Sequence, residues 1–231
     1  MTPPLKPISA ASMAVRTAIV LFVFVVAFTA LLAAAHQWTE PAIAEAAAAE
    51  KMKLISEVLP QRLYDNDLLN DRLQLPASAA LGLDEPSTAY LARQGGAVSA
   101  LVFEAIAPDG YSGEIRLLIA VAADGTLLGV RVTQHKETPG LGDYIDPRKD
   151  KHRERPWISQ FDGLSLASVA DREWRVRKDQ GRFDSVAGAT VSPRAVIKAV
   201  HKALRYVDQH RRQLRAVAVG RQTAADRRAG R

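Results

Sequence analysis

Thr190 closes the run Asp184-Ser185-Val186-Ala187-Gly188-Ala189-Thr190, and Val191-Ser192-Pro193 then opens an amphipathic stretch. The spacing predicts a helix over 193–209, because Val196, Ala199, Val200, Ala203, Leu204 and Val207 recur at helical intervals. Ser192 suits the N-cap, and Pro193 has the fixed φ of a first helical position. Free N–H groups and the positive end of the helix dipole favour a phosphate there. Gly188 lets the backbone approach a ligand closely or take a positive φ. These residues alone give an anion site beside a hydroxyl, or simply a capped helix after a glycine turn.

A second segment, Gln134-His135-Lys136-Glu137-Thr138-Pro139-Gly140-Leu141-Gly142-Asp143-Tyr144, carries two glycines around a leucine, behind a proline. It reads as a tight loop whose amides face a ligand, or as a plain turn after a strand. His135 has no partner at metal-ligand spacing. No nucleophile–base pair or carboxylate cluster is evident, which argues against a phosphate hydrolase.

The elements that position these loops follow from pattern. A chain of 231 residues holds one sizeable domain and an appendage. It has no cysteine, which excludes disulfides, thiolate nucleophiles, cysteine-bound zinc and iron–sulfur clusters. Over 17–39 no Asp, Glu, Lys or Arg occurs, and the apolar core 18–35 has the length of a bilayer span. Lys6 and Arg16 precede it, and Glu40, Glu45 and Glu50 are the first charges after it. That asymmetry predicts a cytoplasmic N-terminus with the bulk of the chain outside. A cleaved signal peptide is the competing reading, with Ala33-Ala34-Ala35 as the small-residue site. The span carries no ionisable group at its centre, so ion conduction by this chain is not expected.

Beyond the span, a helix is predicted over 40–59, with Pro41 near its start and Pro60 ending it. The stretch 64–96 reads as loops and short elements. Strands are predicted over 99–107, 114–122 and 126–132, the last two joined by the hairpin signal Ala123-Asp124-Gly125. A further short strand is predicted over 172–177. Hairpins followed by a helix give an α+β fold with an antiparallel sheet and a C-terminal helix. The formal net charge of +6 comes largely from a basic tail and from 148–155. Outside the cytoplasm nucleic acid is absent, so the tail is expected to be a disordered extension, able to touch lipid headgroups or a partner.

Asp184-x-x-Ala187-Gly188-Ala189-Thr190 resembles the flavinylation motif of periplasmic FMN-binding domains. In that family a flavin transferase joins the FMN phosphate to the last threonine as a phosphoester. The resemblance implies Thr190 as acceptor, Asp184 as the motif acid, and Gly188 and Ala189 as part of the cofactor site. The family usually has Ser or Thr where Ala187 stands, and often Thr where Ser192 stands. His135 to Gly142 resembles the family's second hallmark, as do Gly110-Tyr111-Ser112-Gly113 before Ile115 and the aromatic segment Trp157 to Phe161.

The order of these features, behind one span, is similar to the G subunit of Rnf (Rsx) electron transport complexes. The C subunit of sodium-pumping quinone reductases shares the two hallmarks. The resemblance implies a domain plan of 1–16 cytoplasmic, 17–38 transmembrane, 39–95 juxtamembrane helix and connection, 96–209 periplasmic FMN-binding domain and 210–231 basic tail. It implies covalent FMN, an electron-carrying role in an ion-translocating complex of the bacterial inner membrane, the other subunits as partners, a flavin transferase, and no nucleic acid. Thr138, Leu141, Gly140 and Gly142 are the candidates to line the isoalloxazine. Glu137 either accepts from a ribityl hydroxyl or ring N–H or is a solvated acid. Lys136 offsets phosphate charge or faces water, and Trp157 is read as packing. A cofactor-free single-span scaffold is the rival reading.

Overall fold

The computed structural model describes residues 10–229, with side chains from 11 to 211. Lys6 and the last two residues lie outside that range. The chain divides into two compact units, with the boundary between Glu50 and Lys51.

Helix α1, Ala10–Val58, is continuous and contains Pro41. The sequence reading starts a separate helix near that proline. The alanine-rich flanks 42–44 and 46–49 are strong helix formers and carry the helix through it. From Met13 to Glu50 every side chain is exposed, including Phe22, Phe24, Leu31 and Leu32. A helix apolar on every face finds its partner in lipid or in another chain, and α1 is long and apolar enough to cross a membrane.

The second unit is built on a five-stranded antiparallel meander in sequential order: β1 Arg72–Leu75, β2 Ser87–Gln94, β3 Ala97–Gly110, β4 Gly113–Ala122 and β5 Leu127–Gln134. The last three are the predicted strands. The first two fall in the stretch read as loops and short elements, and they start the sheet before residue 96. β1 has only four residues, and β2 is buried on both faces from Ala89 to Arg93, which erases the alternation that marks a half-buried strand. The chain turns from β2 to β3 through Gly95 and Gly96, both at positive φ, the backbone of a two-residue hairpin.

Alternation puts two sets of side chains on the two faces of the sheet. Leu101, Phe103, Leu117, Ile119 and Val121 face one core with Val196, Val200, Ala203 and Leu204 of helix α2, Val191–Ala229. Tyr90, Val102, Leu118 and Ala120 face the other with Ile55, Val58, Leu59 and Leu68. The backbones meet at Gly129, where a Cβ would stand 2.8 Å from both the Cα and the carbonyl oxygen of Val58.

Between β5 and α2 the chain forms short 3-10 turns, Gly142–Ile145, Trp157–Phe161, Asp171–Glu173 and Arg177–Asp179. The strand predicted over 172–177 is corrected to the last two of these, with a single bridge between Val176 and Phe183. The alternation is real, since Trp174 and Val176 are buried and Arg175 and Arg177 exposed. Beyond that bridge the segment has no strand partner among the described residues.

α2 starts earlier than its proline suggests. Thr190 takes the cap position, its carbonyl accepting from the Arg194 N–H at 3.3 Å. Ser192 is therefore not the N-cap, and Pro193 falls within the first turn, where no N–H is required. Past Gln209 the backbone continues as helix to Ala229, where a disordered extension is expected from the sequence. Five alanines and several arginines favour helix over 210–229.

Candidate cofactor site

Three loops distant in sequence meet at the start of α2. The β3–β4 hairpin brings Tyr111, the loop after β5 brings Glu137, Thr138, Leu141 and Gly142, and the segment entering α2 brings Gly188, Ala189 and Thr190. Together they line a cleft of about 130 Å³.

Glu137 joins all three. It is 4% exposed. Its carboxylate accepts from the Ser192 hydroxyl at 2.6 Å and from the Ser112 N–H at 3.2 Å. Glycines make room for it: a Cβ on Gly110 would lie 2.7 Å from Glu137 Oε1, and one on Gly142 2.9 Å from Oε2. The solvated-acid alternative is thereby overturned. Glu137 N–H donates to His135 Nδ1 at 3.1 Å, which turns the other ring nitrogen toward Asp146, 3.8 Å away. Burial alone would raise the pKa of Asp146, but hydrogen bonds from the Arg148 side chain and backbone, with the nearby charges, outweigh it and hold it low.

Aromatic residues pin the segment entering α2 from behind. The Tyr144 hydroxyl donates to the Ala189 carbonyl at 3.0 Å and accepts from the Val186 N–H at 3.2 Å. Burial pushes the Tyr144 phenol up, against the pull of the Val186 bond. The Trp157 indole donates to the Asp184 carbonyl at 2.6 Å, and Gln160 accepts from the Asp184 N–H at 2.8 Å. Trp157 also packs edge-on against Tyr144 and Phe161. The sequence marks Trp157 to Phe161 as an aromatic segment, but nothing in it announces these bonds to the segment entering α2.

Two expected residues stand apart from the cleft. The Asp184 carboxylate pairs with Arg177 at 2.7 Å and borders a separate cavity of about 580 Å³. Gly140, at φ +76°, donates its N–H to Asp143 at 2.9 Å and does not line the cleft. Its role is to turn the loop.

Thr190 is half-buried, and its Oγ1 accepts from Arg194 Nη1 at 3.2 Å. Arg194 lies one helical turn on, at the i+4 spacing that brings side chains together. That spacing is the available sequence signal for it. Asp179, which binds Arg194 through both oxygens at 2.7 and 2.8 Å, has none. Outside α1, the exposed large hydrophobic residues among those described are Tyr111, Leu141, Val186 and Val191. Three of the four rim the cleft, and the fourth, Val186, belongs to the segment entering α2.

Family comparisons agree with this geometry. Residues 110–205 match the family model described as FMN-binding domain, and 5–58 match the RnfG N-terminal region. A protein of Pseudomonas aeruginosa strain UCBPP-PA14, named as the G subunit of an ion-translocating oxidoreductase complex, is 50% identical over 87% of this chain and 92% of its own length. Proteins of the same name from Shewanella loihica and Vibrio cholerae are 40% and 41% identical over 87% and 86% of this chain, and over 92% of their own lengths. The three meeting loops, the apolar helix α1 and these matches lead to one conclusion: the chain belongs to the family of G subunits of ion-translocating oxidoreductase complexes.

Proposed function

We propose that this chain is the electron-carrying flavin subunit of an ion-translocating oxidoreductase complex, and that it holds FMN through a phosphoester to Thr190. The observation that carries this reading is the convergence of a half-buried hydroxyl, a guanidinium on it, and exposed apolar side chains around it. The site fits a phosphate joined to a planar ring. Arg194 stands ready for the phosphoryl charge, and Tyr111, Leu141 and Val191 offer apolar surface to the isoalloxazine. Pockets that enclose a small ligand run to roughly 300–1,000 Å³, and this cleft is far smaller. A site so shallow holds a flavin weakly without a bond, and an ester removes that weakness.

FMN accepts one or two electrons, chemistry that a cysteine-free chain cannot provide by itself. In attachment, Thr190 Oγ1 bonds to phosphorus and gives up its proton to solvent. The phosphorus–oxygen bond to the leaving group breaks. With a flavin dinucleotide as donor, a nucleoside monophosphate departs, so no oxidant or reductant is consumed. Arg194 cannot act as the base, because guanidinium does not deprotonate in proteins. A flavin transferase supplies donor and base.

Orientation follows from charge. Arg16 precedes the apolar run and Glu40, Glu45 and Glu50 follow it, which favours a cytoplasmic N-terminus and a periplasmic FMN-binding domain, in the bacterial inner membrane. The remaining subunits of the complex and membrane lipid are the partners. The relatives' names favour the G subunit over the C subunit of a sodium-pumping quinone reductase.

Full-length protein produced with a flavin transferase tests this directly. The peptide carrying Thr190 should gain the mass of an FMN phosphoester, and Thr190→Ala should remove it. Covalent flavin persisting in Thr190→Ala would refute the site, and unmodified wild-type peptide would favour a cofactor-free scaffold. Reporter fusions at both ends test orientation, and an external N-terminus would contradict it.

A further inference from the structure

Arg194 and Asp179 form a unit that none of the sequence motifs includes. Asp179 grips the guanidinium side-on, taking Nε and Nη2 on its two oxygens at 2.7 and 2.8 Å. That fork fixes the plane of the group and leaves Nη1 for Thr190 Oγ1 at 3.2 Å. The hydrogen bond and charge of Arg194 depress the Asp179 carboxyl, so the pair stays ionised at neutral pH. Asp179 closes the turn Arg177–Asp179, and Gln180 follows at φ +61°, the one non-glycine residue with positive φ among those described. Residues other than glycine rarely adopt that region. Gly181 behind it packs against the Arg175 backbone with no room for a Cβ. The local backbone is thus held in an uncommon conformation beside the carboxylate that aims Arg194.

A threonine hydroxyl alone does not call for such an arrangement, since water would satisfy it. A phosphoryl group bonded to that oxygen would. It brings negative non-bridging oxygens two bonds from Oγ1, within reach of the same nitrogen. We infer that Arg194 binds the phosphoryl group of the flavin nucleotide esterified to Thr190, both as the bond forms and afterwards, with Asp179 as the residue that positions it. The inference rests on Thr190 being the acceptor. It adds a specific counter-charge, which a nearby exposed lysine such as Lys198 would not replace, being already paired with Asp109.

The test uses the full chain with a flavin transferase and flavin dinucleotide. The rate of FMN mass gain at Thr190 is followed for wild type, Arg194→Gln, Arg194→Lys and Asp179→Asn. Loss of one charge-assisted donor should slow labelling roughly tenfold to a hundredfold in Arg194→Gln. Arg194→Lys keeps the charge without the fork and should fall between, as should Asp179→Asn. Once labelled, Arg194→Gln should show a shifted phosphorus-31 resonance of the ester relative to wild type. Labelling of Arg194→Gln at the wild-type rate would overturn the inference. So would slowed labelling with an unchanged phosphorus resonance, which would mean that Arg194 meets the transferase instead. If Arg194→Gln fails to fold, wild-type rates in both Arg194→Lys and Asp179→Asn are equally decisive against it. Wild-type protein that takes no FMN would remove the acceptor assignment itself, an outcome distinct from the others.

Discussion

Replacing Glu137 with alanine tests whether one carboxylate locks the cofactor loops together. The Ser192 hydroxyl, on a residue only 2% exposed, would lose the acceptor it meets at 2.6 Å. A buried donor left unsatisfied costs about 1–3 kcal/mol. The Ser112 N–H would lose its 3.2 Å bond, but Ser112 is exposed and water replaces most of that, leaving about 0.5 kcal/mol. The emptied volume between Gly110 and Gly142 adds about 1 kcal/mol. The sum is roughly 2.5–4.5 kcal/mol, or ~5–18 °C in Tm for a domain of this size. Glu137→Gln keeps one acceptor oxygen and turns an amide toward Ser192, so about 1 kcal/mol is expected. Calorimetry of the detergent-solubilised full chain gives the ranking. A double-mutant cycle with Ser192→Ala isolates the contact, with a coupling of about 0.5–3 kcal/mol expected. Coupling indistinguishable from zero, or Glu137→Ala within about 0.5 kcal/mol of wild type, would refute the clamp.

Gly129→Ala drives a methyl group into the Val58 backbone, 2.8 Å from its Cα and carbonyl oxygen. Backbone cannot swing aside as a side chain can, so the substitution should cost about 1–3 kcal/mol, and an unchanged Tm would contradict the close approach. His201 stacks on Trp174 at 5.0 Å between ring centroids and meets Asp171 at 3.1 Å. Burial lowers its pKa from 6.5, more than Asp171 restores, with Arg205 lowering it further. The unfolded chain then binds this proton first, so the contribution is intact above about 6.5 and shrinks as pH falls below it. Tm measured from pH 8 to 5 should drop less steeply in His201→Gln than in wild type, and identical slopes would disprove the assignment.

Legible in the chain is whatever repeats or matches a local rule. The apolar run 18–35 and the alternation in β3, β4 and β5 need no partner to be seen. β2 hides because its Arg93 is buried, which is rare for arginine. It is held by Asp71 at 2.5 Å, 22 residues away, and nothing local announces that pairing. Glu137 is visible as a motif acid, but its burial depends on two glycines and a serine from three segments. Asp184 is expected at the cofactor site because it stands where the resembled flavinylation motif has its acid. The segment between it and Thr190 turns the carboxylate toward Arg177 instead. Asp179 lies 15 residues from Arg194, too far for any helical or strand period to relate them. Side chains that act through contacts across separate loops are the ones that pattern does not reveal.

The shallowness of the cleft and the presence of α1 bear on the same physical problem. An electron carrier that encloses its flavin gains affinity but puts protein between the ring and its partner. Here three of the exposed hydrophobic residues described outside α1, Tyr111, Leu141 and Val191, rim one cleft, and a ring lying on them would keep an open edge. Openness of that kind sacrifices non-covalent affinity, and the proposed ester to Thr190 would restore retention without adding walls. It does nothing for the encounter with the next carrier. That falls to the membrane helix, since a tether turns a bimolecular search into a local one at an effective concentration on the order of millimolar. Bond and tether are therefore separable: a Thr190 variant should still assemble with its partners yet carry no electrons, whereas a chain starting at Lys51, which keeps Ile55 and Val58 in the core, should keep its flavin and lose its exchange rate at low protein concentration.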